Sequence, residues 1–302
     1  MAKAKNQAGK AESKAATKAK TTTPRKVHAK VDPTTLPDDP AQLTELGDAH
    51  LREGSPADVA FAVACYKKAA QLDSPTALGR LSAMFRLGEG VRKDTKRAFQ
   101  CALRAAELGS PTAMYDVAVH YRNGIGVDQS NAEAVAWYRK SAEAGCADAQ
   151  SALGYAYFMG ILDLKRDMVQ AECLLRQAAA QDFPTALSNL GALIADGVIS
   201  GTWEEGIDML RRGAALGSNE CRYNLFCQIL KHKERLQDPT DTSFLELARE
   251  ALLALEDAFN DNYPPAYQLY NIAAKSILKV EREQANRPPR AKGKSRTGRR
   301  RR

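Results

Sequence analysis

The chain has 302 residues, of which 44% are hydrophobic and only 7% aromatic, and its formal net charge is +8. This composition favours a helical fold whose interior consists of small side chains, alanine above all. No run of about 18 consecutive apolar residues occurs, and residues 1–30 lack the apolar stretch of a secretory signal, which excludes a membrane-spanning helix and favours a soluble, cytoplasmic protein.

The positive charge is confined to the two ends of the chain. Residues 1–30 carry nine Lys or Arg against one acid, a charge of +8, and residues 287–302 carry nine and no acid, a charge of +9. Subtracting both from the total of +8 leaves −9 for the residues between them. The sequence therefore predicts an acidic body with two basic arms rather than a basic domain.

The N-terminal arm, residues 1–36, is rich in Lys, Ala and Thr, and we expect it to be disordered because it has too few apolar residues to offset the entropy of ordering. A mitochondrial transit peptide would need an Arg-rich amphipathic helix, whereas this arm has no apolar face and stops at Pro24. Its candidate contacts to a polyanion are Lys14, Lys18, Lys20, Arg25 and Lys26.

A repeat follows the arm. The similar residues Ala77, Ala113, Ala149 and Ala186 are separated by 36, 36 and 37 residues. Between them the segments read alike, as two stretches of helical length joined by a Gly-rich turn. A period of this length indicates an array of helix-turn-helix units, which we place at residues 37–220.

The residues around LGSPTA, residues 108–113, predict where one helix ends and the next begins. Ser110 can cap the new helix and Pro111 suits its first position. Ser130 and Asp94 are expected to cap the second helix of two units, Ser130 with capping-box spacing to Glu133. Glycines with left-handed backbone are expected where helices stop, at Gly109, Gly145 and Gly217.

One position of the second helix is apolar in successive units and is predicted to be a buried row. A cysteine in such a row is best interpreted as a small hydrophobic residue rather than a reactive thiol. The row consists of Cys65, Cys101, Trp137, Cys173 and Met209.

These motifs resemble the Sel-one-like repeat, a relative of the tetratricopeptide repeat. The resemblance rests on GEGV at 88–91, GIGV at 124–127, WYRKSA at 137–142 and CYKKAA at 65–70. It covers residues 41–220 as five units. It implies an all-α, right-handed α-solenoid of about five to six helix-turn-helix repeats that acts as a scaffold for multi-protein assemblies.

The later part of the chain departs from the pattern. MGILDLKRD and DGVISGTWEE replace the G-x-G-V turn in two units, so the geometry of those turns is open. Residues 221–284 are predicted to form a divergent capping repeat with helices at 244–259 and 265–283. The Arg-rich tail, residues 285–302, is expected to be disordered, with candidate polyanion contacts at Arg296, Arg299, Arg300, Arg301 and Arg302.

The sequence offers no motif for catalysis, metal or cofactor binding. No two cysteines have C-x-x-C spacing, and the four histidines, His28, His50, His120 and His232, are far apart. The Gly-rich turns follow helices, whereas phosphate-binding loops follow strands. We therefore expect no cofactor, no metal and no enzymatic activity.

The first helices of a solenoid line an extended surface, and residues that differ between units on that surface are candidates for recognition. Ala113, Val117, Ala118 and Tyr121 are expected to be packing positions. The alternative is that the varying residues are ordinary solvated positions of a helix face. The candidates are Arg80, Asp116, His120, Asn123, Tyr155, Asn189 and Asp196.

Two functions fit the sequence. In the first, a non-enzymatic adaptor binds a partner protein or peptide in the groove of the solenoid, with the arms contacting a polyanion. In the second, the arms provide the main binding to RNA or DNA and the solenoid recruits cargo. The arms lack aromatic residues for base stacking, and they could instead fold back on the acidic body, serve solubility or act as a nuclear address.

Overall fold

A computed structural model describes residues 36–232, 242–266 and 270 of the chain, with the side chains of 242–245 left out. No strand occurs in these residues. The helices of these residues lie in one unit of the chain, which begins at Asp38. They are α1 Pro40–Glu53, α2 Pro56–Gln71, α3 Pro75–Leu87, α4 Thr95–Glu107, α5 Pro111–Asn123, α6 Asn131–Glu143, α7 Ala147–Met159, α8 Met168–Ala179, α9 Pro184–Ala195, α10 Trp203–Ala215, α11 Asn219–Lys231 and α12 Thr242–Asn260.

The helices pack in consecutive pairs, and each pair packs on the next. We call the odd-numbered helices A, the even-numbered helices B, and the pairs repeats one to six. Successive A helices also contact one another, as α5 does with α7 and α9 with α11. This is the predicted all-α solenoid. The domain boundaries at 36/37, 220/221 and 284/285 stay predictions.

The predicted helix ends are confirmed. The Ser110 hydroxyl accepts a hydrogen bond from the Ala113 amide at 3.3 Å, with Pro111 in the first turn. Ser130 and Asp94 cap α6 and α4 in the same way. Left-handed backbone occurs as expected at Gly109, Gly145 and Gly217. The predicted helix at 244–259 lies within α12, whereas the prediction at 265–283 falls mostly outside the described residues, as do both basic arms.

The interior is built from small side chains, as the composition predicted. The repeated alanines Ala77, Ala113, Ala149 and Ala186 are all buried. Between α9 and α10 the packing is closer still, because a methyl group on Gly191 would lie 2.9 Å from the Gly206 carbonyl oxygen. Alanine and glycine thus let the backbones of an A and a B helix approach closely.

The prediction of one buried row through the B helices is wrong. Cys65 is buried, Cys101, Trp137 and Met209 are half-buried, and Cys173 is exposed. The turn before α8 contains one extra residue compared with the turn before α6. Each residue of α8 therefore lies about 100° around the helix from the position that a strict 36-residue period assigns to it. Leu174 therefore takes the place assigned to Cys173.

The fully buried row lies one position further along the B helices. In repeats one and three it is occupied by Tyr66 and Tyr138, both of which are completely buried. The other repeats have Ala102, Leu175 and Leu210 at this position, and these are buried as well. The residues of this row are thus large except for Ala102 in repeat two.

The second glycine of each G-x-G-V turn lies against the preceding repeat. A methyl group on Gly126 would overlap the Thr95 carbonyl at the start of α4, and one on Gly90 would overlap Val59 of α2. Both glycines also have positive φ, 75° and 67°. Only glycine allows this turn to approach the preceding B helix so closely.

The two departing turns reach the preceding B helix by side-chain contacts instead. Leu162 and Asp163 have positive φ, 59° and 60°, and the Asp163 carboxylate accepts a hydrogen bond from Asn131 at 3.1 Å. In the next repeat the Ser200 carbonyl accepts a hydrogen bond from Arg176 of α8 at 2.9 Å. Polar bonds thus replace the glycine contact.

Asp replaces Gly at the turn between two repeats in two places. Asp73 and Asp182 occupy the position of Gly109, with φ of 57° and 55°. In each case the carboxylate forms an ion pair with an arginine of the following B helix, Arg104 or Arg212. These exposed pairs contribute about 0–1 kcal/mol each, so their main effect is to tie neighbouring repeats in one register.

The glycine contact can be tested by comparing two substitutions in one turn. Gly124→Ala introduces a methyl group at φ 65° with no atom closer than 3.5 Å, and it should cost about 1–2 kcal/mol for the left-handed backbone. Gly126→Ala has the same backbone cost and also overlaps Thr95. We expect it to lower the free energy of unfolding by at least about 2 kcal/mol more, measured by urea denaturation. Equal losses would contradict the close-approach explanation.

Candidate functional site

The exposed positions of the A helices form a continuous surface, which we call the A-face. Three positions of each A helix contribute to it, spaced three or four residues apart, and all are exposed or half-buried from repeat two to repeat six. The first row is Arg80, Asp116, Ala152, Asn189 and Asn224; the second is Ala83, Val119, Tyr155, Ala192 and Cys227; the third is Leu87, Asn123, Met159, Asp196 and Lys231.

Six of the seven predicted groove residues belong to the A-face. Arg80, Asp116 and Asn189 occupy its first row, Tyr155 its second, and Asn123 and Asp196 its third. The sequence prediction thus brings together residues of four different repeats on one surface. Their contact with a partner stays a prediction.

His120 does not belong to the A-face. Its side chain is buried with 3% exposure, and its Nδ1 lies 2.6 Å from the Ile125 carbonyl oxygen. The same position holds the buried Met84 and Ala156 in neighbouring repeats. His120 is therefore a packing residue that fastens the GIGV turn of its own repeat, and it is not available to a partner.

At one end of the A-face, a tyrosine, a carboxylate and an arginine form a complete polar triad. The Tyr66 hydroxyl donates to the Asp48 carboxylate at 2.6 Å, and Arg80 donates to the other oxygen of that carboxylate at 3.0 Å. Although burial disfavours the charged carboxylate, these two hydrogen bonds hold the pKa of Asp48 below its usual range. Arg80 is thus committed to joining repeats one and two.

At the other end, polar bonds join α9 to α11. The Asp196 carboxylate accepts from Gln228 at 2.9 Å and forms an ion pair with Lys231. Asn224 donates to the Ser188 hydroxyl at 2.9 Å. Arg80, Asp196 and Asn224 are therefore paired at the two ends of the A-face, whereas the buried side-chain oxygen of Gln228 has no hydrogen-bond partner among the described residues.

The junction of repeats three and four differs, because its polar groups are unpaired within the described part of the chain. The Tyr138 hydroxyl is completely buried and has no hydrogen-bond partner there. Asp116 and Tyr115 of α5 form no hydrogen bond or ion pair among the described residues, and Asp148 of α7 receives only a weak contact from the Cys146 thiol at 4.0 Å.

Electrostatic effects indicate that Tyr115, Asp116 and Asp148 lie near one another. Burial raises the pKa of Asp116, nearby His120 and Arg86 partly offset this rise, and Asp148 adds to it. Burial also raises the pKa of Tyr115, with Asp148 contributing.

Tyr115 links the two carboxylates to the buried hydroxyl. The rings of Tyr115 and Tyr138 are 5.7 Å apart, and burial raises the pKa of Tyr138 to about 12. We call Tyr115, Asp116, Tyr138 and Asp148 the junction cluster.

Large apolar side chains flank the junction cluster on the A-face. Tyr155 is 42% exposed, Met159 50% and Leu87 52%. Leu87 and Met159 occupy the third row in repeats two and four, on either side of repeat three. Exposed apolar anchors beside partly desolvated polar groups are typical of protein-binding surfaces.

A second concavity lies on the side of the B helices, between α6, α7 and α8. It is an open cleft of about 470 Å³. Two of its polar side chains are paired: Arg139 donates to the Tyr157 hydroxyl at 2.9 Å, and Gln150 bonds the Ala142 carbonyl and the Gln181 amide. We interpret this cleft as a seam between repeats, because these bonds join neighbouring helices across it.

We also searched the residues that the structure describes for a metal site and for a membrane-spanning helix. These residues contain no group of three or more His, Cys, Asp or Glu side chains that could hold a metal ion. None of their helices is long and apolar enough to cross a membrane.

Sequence reasoning missed Tyr115, Tyr138 and Asp148. The one indication of these residues in the sequence is that Tyr138 in WYRKSA and Tyr66 in CYKKAA occupy the same position of the repeat, 72 residues or two repeats apart. Whether each hydroxyl finds a carboxylate depends on the A helix opposite it, which the sequence pattern alone does not specify.

The unpaired state of Asp116 can be tested through stability. Because its folded pKa is raised, the charged carboxylate destabilises the folded state at neutral pH, and stability should rise as the pH falls through that pKa. Asp116→Asn removes the charge, so we expect a higher free energy of unfolding than wild type at pH 7 and a smaller difference at pH 4. A loss of stability at pH 7, in urea denaturation, would contradict an unpaired carboxylate.

Comparison with known proteins agrees with this architecture. The Sel1 repeat model, which describes the Sel-one-like repeat, matches residues 43–74, 75–110, 111–146 and 147–183 in succession. These segments correspond to repeats one to four, from α1 to α8. Comparison with curated protein sequences gives no significant match.

Two solved structures are similar to the chain. A Sel1 repeat protein from Oxalobacter formigenes is 27% identical, with a TM-score of 0.58, over 63% of this chain and 78% of that one. A protective antigen of uropathogenic Escherichia coli with an SLR fold is 21% identical, with a TM-score of 0.58, over 82% of this chain and 60% of that one. Residues 43–183 are four consecutive Sel1 repeats within the α-solenoid that the described helices form.

Proposed function

We propose that the chain is a cytoplasmic, non-enzymatic adaptor that binds a segment of a partner protein on its A-face. Sel1-repeat proteins are generally scaffolds for protein interactions and generally non-catalytic, which supports this class of function. The partner itself is identified only by the chemistry of the surface that would bind it.

The observation that carries the proposal is the contrast between the A-face and the layer beneath it. The buried layer repeats small apolar residues from unit to unit, whereas the exposed rows change between charged, amide, aromatic and aliphatic residues. Leu87, Tyr155 and Met159 supply apolar anchors within this surface. A segment laid across several repeats would bury these anchors and obtain its specificity from the polar residues between them.

The basic arms suggest a second, separable activity. We propose that Lys14, Lys18, Lys20, Arg25 and Lys26, with Arg296 and Arg299–Arg302, contact a polyanion such as RNA or DNA. Neutralising phosphates releases counterions, so this binding would weaken steeply with salt. In the alternative function, this contact provides the main binding and the solenoid recruits cargo.

Matched substitutions distinguish the A-face from other apolar surface. Leu87→Glu and Met159→Glu place a charge on the A-face, whereas Val169→Glu and Leu216→Glu place one at residues that are 76% and 53% exposed elsewhere. The measured quantity is the amount of protein cross-linked to the full chain in its native cell, determined by mass spectrometry. We expect this amount to fall at least tenfold in the first pair of variants and to stay unchanged in the second pair. Similar losses in both pairs would contradict the proposal.

The same experiment with residues 1–30 and 287–302 deleted separates the two activities. We expect the deletion to abolish salt-sensitive retention of nucleic acid while the partners that depend on Leu87 and Met159 remain. If partner capture disappears with the arms, the arms provide the main binding and the adaptor proposal fails.

A further inference from the structure

The junction cluster resembles the triad at the end of the A-face, with one member absent. In repeats one and two, the triad contains a buried tyrosine, Tyr66, a carboxylate, Asp48, and the guanidinium of Arg80. In repeat three, Tyr138 occupies the position of Tyr66, and the carboxylate of Asp116 lies on the facing A helix. No described arginine or lysine lies within ion-pairing distance of Asp116.

The two arrangements differ in the exact position of the carboxylate. Val119 occupies the place of Asp48, and Asp116 lies one helical turn before it on the same face. The place of Arg80 in the next repeat is taken by Ala152, a small residue. The described residues therefore do not complete the triad at this junction, where the small side chain of Ala152 takes the place that Arg80 has at the first junction.

Leaving the polar groups of the junction cluster unpaired lowers the stability of the folded chain. A buried hydroxyl without a partner costs about 1–3 kcal/mol, and a partly buried carboxylate without a counter-ion adds to this. Asp116 lies on the surface that the proposed function assigns to a partner, and Tyr138 is buried against Tyr115 next to it. Groups of this kind at an exposed face are satisfied when a ligand supplies the complementary atoms.

We propose that the junction cluster binds an arginine side chain of the partner segment, which completes the triad in the way that Arg80 does between repeats one and two. The guanidinium would donate to the carboxylates of Asp116 and Asp148 and lie over the ring of Tyr115. This inference rests on the proposed function, because it assigns one anchor of the segment bound on the A-face.

Two arginines nearby make the charge of the site mixed rather than strongly acidic. Arg86 of α3 and Arg122 of α5 are close enough to influence the pKa of Asp116 and Tyr138, respectively. Neither forms an ion pair with the cluster within the described residues, and the Arg122 side chain donates to the Asn123 amide oxygen at 3.3 Å. An anion would meet two carboxylates at this site, so the geometry favours a guanidinium.

The experiment uses the full chain and argininamide as the probe, with citrullinamide as its neutral isostere. Amide and tyrosine resonances are followed by NMR during titration at millimolar concentration. We expect argininamide to shift the resonances of Tyr115, Asp116, Tyr138 and Asp148, and citrullinamide to leave them unchanged. Equal responses to both probes, no response to argininamide, or a larger response to glutamate would overturn the inference.

Matched variants identify the contacting groups. Asp116→Asn should weaken argininamide binding at least about tenfold, since charge-assisted hydrogen bonds are stronger than neutral ones. Asp208→Asn, a substitution of an exposed carboxylate on α10, is the control and should leave the affinity unchanged. Unchanged affinity in Asp116→Asn would overturn the inference, and its expected gain in stability excludes unfolding as a cause of weaker binding.

Two further comparisons separate this inference from others. Deleting residues 287–302 should leave argininamide affinity unchanged, whereas a gain in affinity would assign the site to the Arg-rich tail of the chain and overturn the assignment to a partner. If Leu87→Glu and Met159→Glu release partners but argininamide does not bind, the proposed function stands and the arginine site falls. If argininamide binds and those variants retain all partners, the proposed function falls.

Discussion

The close approach of each G-x-G-V turn to the preceding B helix determines how the repeats stack. At Gly126 there is no room for a methyl group beside the Thr95 carbonyl, so the turn fixes the distance between repeats two and three. Where glycine is absent, hydrogen bonds such as that between Asn131 and Asp163 take over this function. The stacking distance in turn places equivalent residues of successive A helices side by side on one face.

That side-by-side arrangement explains why the A-face is chemically uneven. Neighbouring A helices either pair their polar residues across the repeat boundary, as Arg80 does with Asp48, or leave them facing outward. At the junction of repeats three and four, a buried hydroxyl and two carboxylates are left without partners among the described residues. The charged residues Arg80 and Asp196 are paired at the two ends of this face, whereas Asp116 in its middle is unpaired where a bound segment would cross it.

The sequence predicted the features that depend on local chemistry. Helix ends follow from a few residues such as Ser110 and Pro111, whose hydrogen-bonding capacity and backbone preference act within one turn. The period likewise predicted the all-α solenoid, and six of the seven residues that it marked as candidates lie on the A-face.

The repeat pattern of the sequence did not predict features that depend on an exact register or on packing between repeats. One extra residue before α8 was enough to turn Cys173 outward and Leu174 inward. His120 is polar and variable between units, yet it is buried because its ring bonds the Ile125 carbonyl. The junction cluster depends on which residue of α5 or α7 lies near Tyr138, and the packing of these helices against α6 determines this.

The central claim is that Asp116 remains an unpaired, partly desolvated carboxylate until a cation of the partner reaches it. Titration of the Asp116 side-chain carboxyl by ¹³C NMR in the full chain, with and without saturating argininamide, tests this most directly. The account predicts a pKa above the ordinary value for aspartate in the free chain and a fall below that value in the presence of the probe. An ordinary pKa in the free chain that does not change with argininamide would contradict it.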